Sequence, residues 1–342
     1  MTGRRVLVAM SGGVDSSVAA ALLLEQGHDV TGVTLKLWGG DSDSGCCSVS
    51  DVEDARRVAA QLGIPHYVFN FSSDFDAKVV DPYVGSYAAG RTPNPCVECN
   101  RSIKFGRLLE RADALGFDFL ATGHHARVRR VDGGHHLVRG ADLAKDQSYV
   151  LYMLGPRELA RTLLPVGELT KGSVREHAAR LGLRTAAKPE SMDVCFITRG
   201  HRAAFIGARA STACGSIFDT SGAVVGYHHG VEQFTVGQRR GLGVALGERR
   251  YVVDVDATRA AVTIGTRADL LRDETVLRDL AFVGAAPGPS PLLAQVRAHG
   301  EPVDARLVAS TVCYERPQPR VAPGQVVVLY EGDTVVGGGI AT

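Results

Sequence analysis

Through the first third of the chain, short apolar runs alternate with segments of helical period. The runs are residues 6–9, 30–37, 67–69 and 119–122, and between them residues 15–26, 51–62 and 102–115 repeat apolar positions at helical spacing. Gly27, Gly63 and Gly116 follow those three segments, where a helix commonly stops. The alternation predicts an α/β domain: a doubly wound parallel sheet with helices on both faces and its ligand at the carboxyl ends of the strands. After about residue 200 the helical period fades. Runs at 215–218, 223–226, 251–255 and 262–264 are divided by Gly, Asp and Thr turns, and a further β-rich group runs from about 279 through 325–330 and 334–340. These predict two small β-rich domains, the last a β-barrel, with the Pro/Gly/Ser cluster at 285–291 as a surface loop. The expected division is 1–200, 201–276 and 277–342. No internal repeat or low-complexity tract interrupts it.

The 342 residues hold enough apolar content for two or three cores. No apolar run nears the roughly 18 residues of a spanning helix, and the first strand begins with no charged-apolar-small leader before it; a cytoplasmic protein without membrane contact is expected. Lys and Arg number 38 against 37 Asp and Glu, so the net charge of +1 carries no chain-wide signal for nucleic acid. Any such surface must be local. The seven cysteines, Cys46, Cys47, Cys96, Cys99, Cys195, Cys214 and Cys313, are an odd number. Without a secretory leader they point to catalytic, metal-binding or buried thiols rather than a disulfide framework.

The chemistry starts at Ala9-Met10-Ser11-Gly12-Gly13-Val14-Asp15-Ser16-Ser17, between the first strand and the first helix. Backbone N–H groups and the positive helix end face such a turn, and glycine lets an anion come close, so the turn is suited to phosphate. No Lys follows the glycines, which excludes the G-x-x-x-x-G-K-[ST] loop. The run Ser-Gly-Gly-Val-Asp-Ser-Ser resembles instead the PP-loop of the ATP pyrophosphatases, which leave AMP on a substrate oxygen. Asp15 reads either as a helix-start partner or as a residue holding Mg²⁺ and pyrophosphate.

Further segments narrow the resemblance. Thr92-Pro93-Asn94-Pro95-Cys96-Val97-Glu98-Cys99-Asn100, then Ile103-Lys104-Phe105, then Ala121-Thr122-Gly123-His124, Lys145-Asp146-Gln147-Ser148-Tyr149, Glu190-Ser191-Met192-Asp193-Val194-Cys195-Phe196-Ile197 and the stretch from Phe234 to Gly243 together resemble the tRNA-specific 2-thiouridylase family over nearly the whole chain. The resemblance implies an ATP-dependent tRNA sulfurtransferase that converts the C2 carbonyl of a wobble uridine to 2-thiouridine, acting on Lys, Glu and Gln acceptors. It implies ATP and Mg²⁺, a sulfur-donor or carrier protein, and a monomer when free.

Adenylation turns an impossible oxide leaving group into AMP, and sulfur arrives as a cysteine persulfide. A second thiol within disulfide reach, Cα atoms under about 7 Å apart, then frees it. The family pattern makes Cys99 the nucleophile and Cys195 the persulfide carrier, with a Cys99–Cys195 disulfide as the oxidised product. ATP contacts fall on Ala9, Met10, Ser11, Gly12, Gly13, Val14, Asp15, Ser16, Leu35 and Gly123. Target-base contacts fall on Asn94, Pro95 and Cys96, and tRNA contacts on His124, Lys145, Asp146, Gln147, Arg297 and Gln325. Leu35 also reads as core and Gly123 as a turn residue; Arg239 and Arg240 read as structural.

Cys96 stands where family members commonly carry Asp, so a general acid–base role there is doubtful. The resulting C-x-x-C pair plus Cys195 would supply three soft ligands for a [4Fe-4S] cluster, less readily for zinc. Cys46, Cys47, Cys214 and Cys313 read as non-catalytic. The rival readings are a PP-loop amidotransferase or synthetase, which has no need of two cysteines, and a non-catalytic RNA-binding module, which would have lost one of them or the PP-loop Asp.

Overall fold

A computed structural model describes residues 3–38, 49–189, 194–197, 201–210, 213–288 and 290–342. Cys46, Cys47 and residues 190–193 of the Cys195 motif lie outside the described residues. The chain divides into two compact units, one of residues 1–79, 96–199 and 333–335, the other of 80–95, 200–332 and 336–342.

In the first unit β1 (Arg5–Ala9), β2 (Asp29–Lys36), β3 (His66–Asn70) and β4 (Phe119–Thr122) form a parallel sheet in the order β3-β2-β1-β4, extended beyond β4 by Thr162–Leu163. Val6, Leu7 and Val8 are all buried, as a strand covered on both faces by helices requires. The helix α1 (Val14–Glu25) is Ala/Leu-rich and buries Val18, Ala19, Ala20 and Leu23, whereas α2 (Val49–Leu62) is amphipathic and buries only Ala55, Val58 and Ala59. Gly27, Gly63 and Gly116 take φ of +81°, +71° and +73°, the left-handed stop expected of them. Because β2 and β4 flank β1 on opposite sides, the chain direction switches beside its carboxyl end. A crevice for ligand opens at such a switch point, and the glycine turn lies there.

Two features depart from the sequence pattern. The third helical stretch begins at Pro95 rather than Ser102: a short α-helix, Pro95–Glu98, runs into nine residues, Cys99–Arg107, that form a wide π-type coil before the α-helix Leu108–Ala114. Coils with i→i+5 bonds carry an extra residue per turn and occur mostly at functional sites. After β4 comes an antiparallel hairpin, Ala126–Val131 with Gly134–Arg139, whose Arg- and His-rich strands gave little apolar signal.

The second unit is all-β apart from short helices. Tyr251–Asp256, Ala261–Gly265, Gly215–Asp219 and Val224–His228 form one sheet over a core of Ile217, Phe234, Val252, Val262 and Ile264. The remaining strands run Leu271–Phe282, Thr311–Pro319, Val303–Val308, Leu292–Gln295, Val326–Glu331 and Thr334–Ala341, and the last pairs with the first at Ala341↔Leu277, closing the predicted barrel. Its core includes Leu277, Leu292, Ala305, Val312, Val327 and Leu329. Residues 80–95 also group here, because Tyr83 and Tyr87, centroids 4.9 Å apart, are buried and Arg202 lies over the Tyr87 ring at 4.9 Å.

Candidate active site

The turn after β1 is shaped by its neighbours. Gly12 has φ +72°, and a Cβ there would sit 2.3 Å from the Asp51 carbonyl oxygen at the start of α2, so only glycine fits. Gly13 is extended, and a Cβ on it would meet nothing nearer than Ser11 Oγ at 3.4 Å, which leaves room in front of the loop. The N-cap residue of α1 is Gly13, which has no side chain to cap it, so among the described residues the first-turn N–H groups suit an anion. The Ser16 hydroxyl accepts from the Ser11 N–H at 3.2 Å, and the Ser17 hydroxyl donates to the Gly13 carbonyl at 2.8 Å, which stiffens the loop from behind. Met10, Val14 and Leu35 are buried, so among the expected ATP contacts these three offer backbone or core packing rather than open side-chain surface.

Gly123 closes the other wall. A Cβ on it would lie 2.5 Å from the Ser16 nitrogen and 2.7 Å from the Asp15 carbonyl carbon, so the turn after β4 presses directly on the backbone of α1.

Asp15 is the electrostatic centre. Lys171 donates to both of its oxygens, at 2.8 and 2.7 Å, and His125 Nε2 lies 3.1 Å from Oδ1. Burial works to raise the Asp15 pKa, but the hydrogen bonds from His125 and Lys171 outweigh it and hold the carboxyl below its usual range. Asp15 is therefore an anion with two donors aimed at it. A second lysine acts on the loop itself: Lys188 Nζ donates to the Gly12 carbonyl at 3.0 Å and to Asp51 and Asp54 at 2.7 Å each. Neither lysine stood out in the sequence; their spacing from the loop, 156 and 176 residues, leaves no local signal.

His124 does not face solvent. Its ring is buried against Phe105, centroids 6.1 Å apart, and Nδ1 shares a 2.6 Å hydrogen bond with Thr122 Oγ1. Burial first, then the Lys104 charge, push its pKa well below the usual histidine value, so the ring is neutral at physiological pH. Asp146 is also inward-facing: its oxygens accept from Gly140 N, Ser148 N, Ser148 Oγ and Arg139 at 2.9, 3.0, 2.8 and 3.3 Å. The sequence reading offered both as RNA contacts; in the structure they hold their loops together. Gln147 is exposed and Lys145 half-buried, on the turn that Asp146 braces, and the Gln147 side-chain oxygen accepts from His125 N at 2.9 Å. In the second unit Arg297 is exposed and Gln325 half-buried, while Arg239 and Arg240 are both exposed.

Cys99, buried, opens the wide coil directly after the short helix Pro95–Glu98; Cys96 within that helix and Cys195 are half-buried thiols. Asn94 and Pro95, just before Cys96, are half-buried as well. One short helix, Ser72–Phe75, ties both thiol-bearing segments. Its Phe75 ring meets Phe196, next to Cys195, edge-on at 5.5 Å, and its Asp74 pairs with Arg107 at the end of the Cys99 coil at 3.3 Å. Trp38 flanks Phe196 from another side at 6.1 Å. Among the described residues no three His, Cys, Asp or Glu side chains gather closely enough to hold a metal ion, so Cys96, Cys99 and Cys195 do not form a three-thiolate cluster site in this arrangement.

Three family models match the chain in succession: the tRNA methyl transferase HUP domain over residues 4–199, the tRNA methyl transferase PRC-barrel domain over 203–266 and the aminomethyltransferase beta-barrel domain over 272–341. The chain is 48% identical over 366 residues to the tRNA-specific 2-thiouridylase MnmA of Roseiflexus sp. (strain RS-1), covering 98% of each chain. It is 50% identical over 348 residues to the protein of that name from Chloroflexus aurantiacus (strain ATCC 29366 / DSM 635 / J-10-fl), covering 98% of this chain and 97% of the relative. A solved 4-thiouridine synthetase–RNA complex with bound ATP overlaps 56% of this chain and 45% of its own at 18% identity and TM-score 0.39, too distant to bear on function. Identity close to one half from end to end, on a sheet that carries the glycine cradle and both thiol segments, means that the chain belongs to the tRNA-specific 2-thiouridylase family.

Proposed function

We propose that the protein is an ATP-dependent tRNA 2-thiouridine synthase. The observation that carries this reading is the presence, in one α/β unit, of a glycine cradle whose own sequence holds no lysine and of two thiols, Cys99 and Cys195. The full-length kinship supports it. A methyltransferase reading, suggested by the words of the domain models, leaves both the cradle and the thiol pair without a task.

The phosphates of ATP would lie over Gly12, Gly13 and the first turn of α1, and Asp15 would be the carboxylate that holds Mg²⁺, which would supply charge neutralisation for the departing pyrophosphate. The C2 oxygen of the wobble uridine, presented at Asn94, Pro95 and Cys96, attacks the α-phosphorus and pyrophosphate leaves. The terminal sulfur of a Cys195 persulfide attacks C2, and AMP departs with the oxygen. The Cys99 thiolate then attacks the Cys195 Sγ, the S–S bond breaks toward C2, and the products are the thione and a Cys99–Cys195 disulfide. Two electrons thus pass from the two thiols to the transferred sulfur, and a cellular dithiol restores them. No iron–sulfur cluster enters this sequence.

Lys145, Gln147, Arg297 and Gln325 carry the RNA contacts, and in the first unit Asp146 and His124 position the loops that bear Lys145 and Gln147. Single-stranded anticodon bases can be splayed into such a site, unlike bases in a duplex. The substrates are the Lys, Glu and Gln acceptors, the sulfur comes from a donor or carrier protein, and a tRNA substrate argues for a cytoplasmic setting. The domain division at 200 and 276 belongs to this proposal. Incubating tRNA with the protein, ATP and a persulfide donor, then analysing nucleosides by mass spectrometry, tests the reading; 2-thiouridine is expected.

A further inference from the structure

Lys188 lies seven residues before Cys195 and is bonded to the nucleotide loop. Its ammonium reaches the Gly12 carbonyl at 3.0 Å and Asp51 and Asp54 at 2.7 Å each. Gly12 is the residue of the loop that takes the left-handed φ of +72°, so the ammonium holds the backbone of the turn itself. Asp51 is the same residue whose backbone packs on Gly12, so one ammonium joins the loop, the start of α2 and the stem of the Cys195 segment.

That stem is fixed from its other side too. Arg175, on the helix Lys171–Arg180, donates to the carbonyls of Ala186 and Lys188 at 2.6 and 3.2 Å, and Arg184 pairs with Asp54 at 3.4 Å. Lys188 and its two carboxylates are each about a fifth to a quarter exposed, so the cluster is well shielded from water and salt. Burial works against the Lys188 charge, but Asp51 and Asp54 prevail and hold it protonated. A chain that needed only to reach Cys195 from the preceding helix would not require a cation shared with the nucleotide loop.

We propose that Lys188 is a positioning residue that fixes the ATP loop and the departure point of the Cys195 segment together, so that nucleotide binding and the meeting of Cys195 with Cys99 depend on one contact. The inference rests on the proposed function in taking Cys195 as the sulfur carrier and Cys99 as its partner.

The test uses the full chain and two readouts, neither of which needs turnover. One is the Kd of Mg-ATP by calorimetry; the other is the rate of Cys99–Cys195 bridging in oxidised glutathione, followed by peptide mass spectrometry. Lys188→Met is expected to weaken ATP binding roughly tenfold or more, the usual loss of a charged hydrogen bond, and to slow bridging by a similar factor. Lys188→Arg should stay near wild type in both. Lys188→Met/Asp51→Asn/Asp54→Asn removes the stranded carboxylates, which guards folding, yet it still lacks the donor for Gly12 and should remain defective in both. A change in only one readout, in neither, or full recovery in the triple variant overturns the proposal. A wild-type protein that binds ATP but forms no bridge contradicts the thiol roles of the proposed function, and the ATP arm alone then decides on Lys188.

Discussion

Lys171 grips both carboxylate oxygens of Asp15, at 2.8 and 2.7 Å, at the mouth of the glycine cradle. The pair is built from residues 156 apart and lies largely out of water, the lysine side chain 13% and the carboxylate 29% exposed. Removing one partner strands the other. Lys171→Met is therefore expected to destabilise the fold by about 1–3 kcal/mol, below the figure for a fully buried pair because Asp15 retains some water. Lys171→Met/Asp15→Asn should recover most of that stability while ATP–pyrophosphate exchange with tRNA stays lost. Urea unfolding and exchange, measured side by side, check this; retained exchange in a folded Asp15→Asn variant would remove Asp15 from the site.

Gly123 gives a test of packing alone. A Cβ placed 2.5 Å from the Ser16 nitrogen meets backbone that cannot rotate aside, so Gly123→Ala must push the β4 turn or the start of α1. A loss of about 1–3 kcal/mol is expected, as for other overpacked sites, together with weaker ATP binding. Gly27→Ala is the contrast: it has open space around it and a strained φ of +81°, so it should lose stability without touching the nucleotide site.

The neutral His124 ring makes a pH prediction. Its folded pKa is lowered by burial, so between that value and the ordinary value near 6.5 the unfolded chain binds more protons than the folded one. Stability contributed by His124 is full above about 6.5 and is lost as the pH falls. His66, half-buried and near the Arg56 charge, is shifted the same way and acts in the same window. Asp15 also has a lowered pKa, but its contribution is lost at more acidic pH, below the carboxylate range. Urea midpoints between pH 7.5 and 5 should fall, and His124→Asn should flatten that fall; an unchanged slope would mean that the buried imidazole is not the proton sink.

The proposed RNA surface is local, so affinity for tRNA should depend only modestly on salt. With Lys145 and Arg297 as the main phosphate partners, a log–log slope of about 1.4–1.8 is expected, each neutralised phosphate adding about 0.7–0.9. Lys145→Ala should reduce that slope by about one. Filter-binding titrations from low to high salt measure it, and a slope untouched by the substitution would take Lys145 out of the interface.

How far the sequence foretells this site depends on distance along the chain. The strand, glycine turn and helix at Val8 to Leu23 were legible because each signal is local: an apolar run, a Gly–Gly turn, an Ala/Leu-rich helix, then Gly27. The barrel was legible from short runs and turns, and its closure at Ala341↔Leu277 fits them. Lys171 and Lys188 were invisible because their partners are brought in by topology. The wide coil from Cys99 was also hidden, since i→i+5 bonding has no distinct side-chain period in so short a segment. His124 was expected at the RNA because nothing in the sequence shows that this coil delivers Phe105 against its ring. Asp146 was expected there too, yet four donors surround it.

The division of labour between the thiols is the central claim, and nucleoside mass spectrometry of tRNA after reaction with ATP and a persulfide donor tests it most directly. Iron is measured in the same preparations, purified without oxygen. The expected result is 2-thiouridine at the wobble position from wild-type protein free of iron, none from Cys195→Ser, and from Cys99→Ser a protein that retains its persulfide but releases no product. Cys96→Ala should be milder, because disulfide exchange proceeds without that thiol. Full activity of Cys195→Ser, or product formed in strict proportion to bound iron with Cys96, Cys99 and Cys195 all required, would contradict the roles assigned to Cys99 and Cys195.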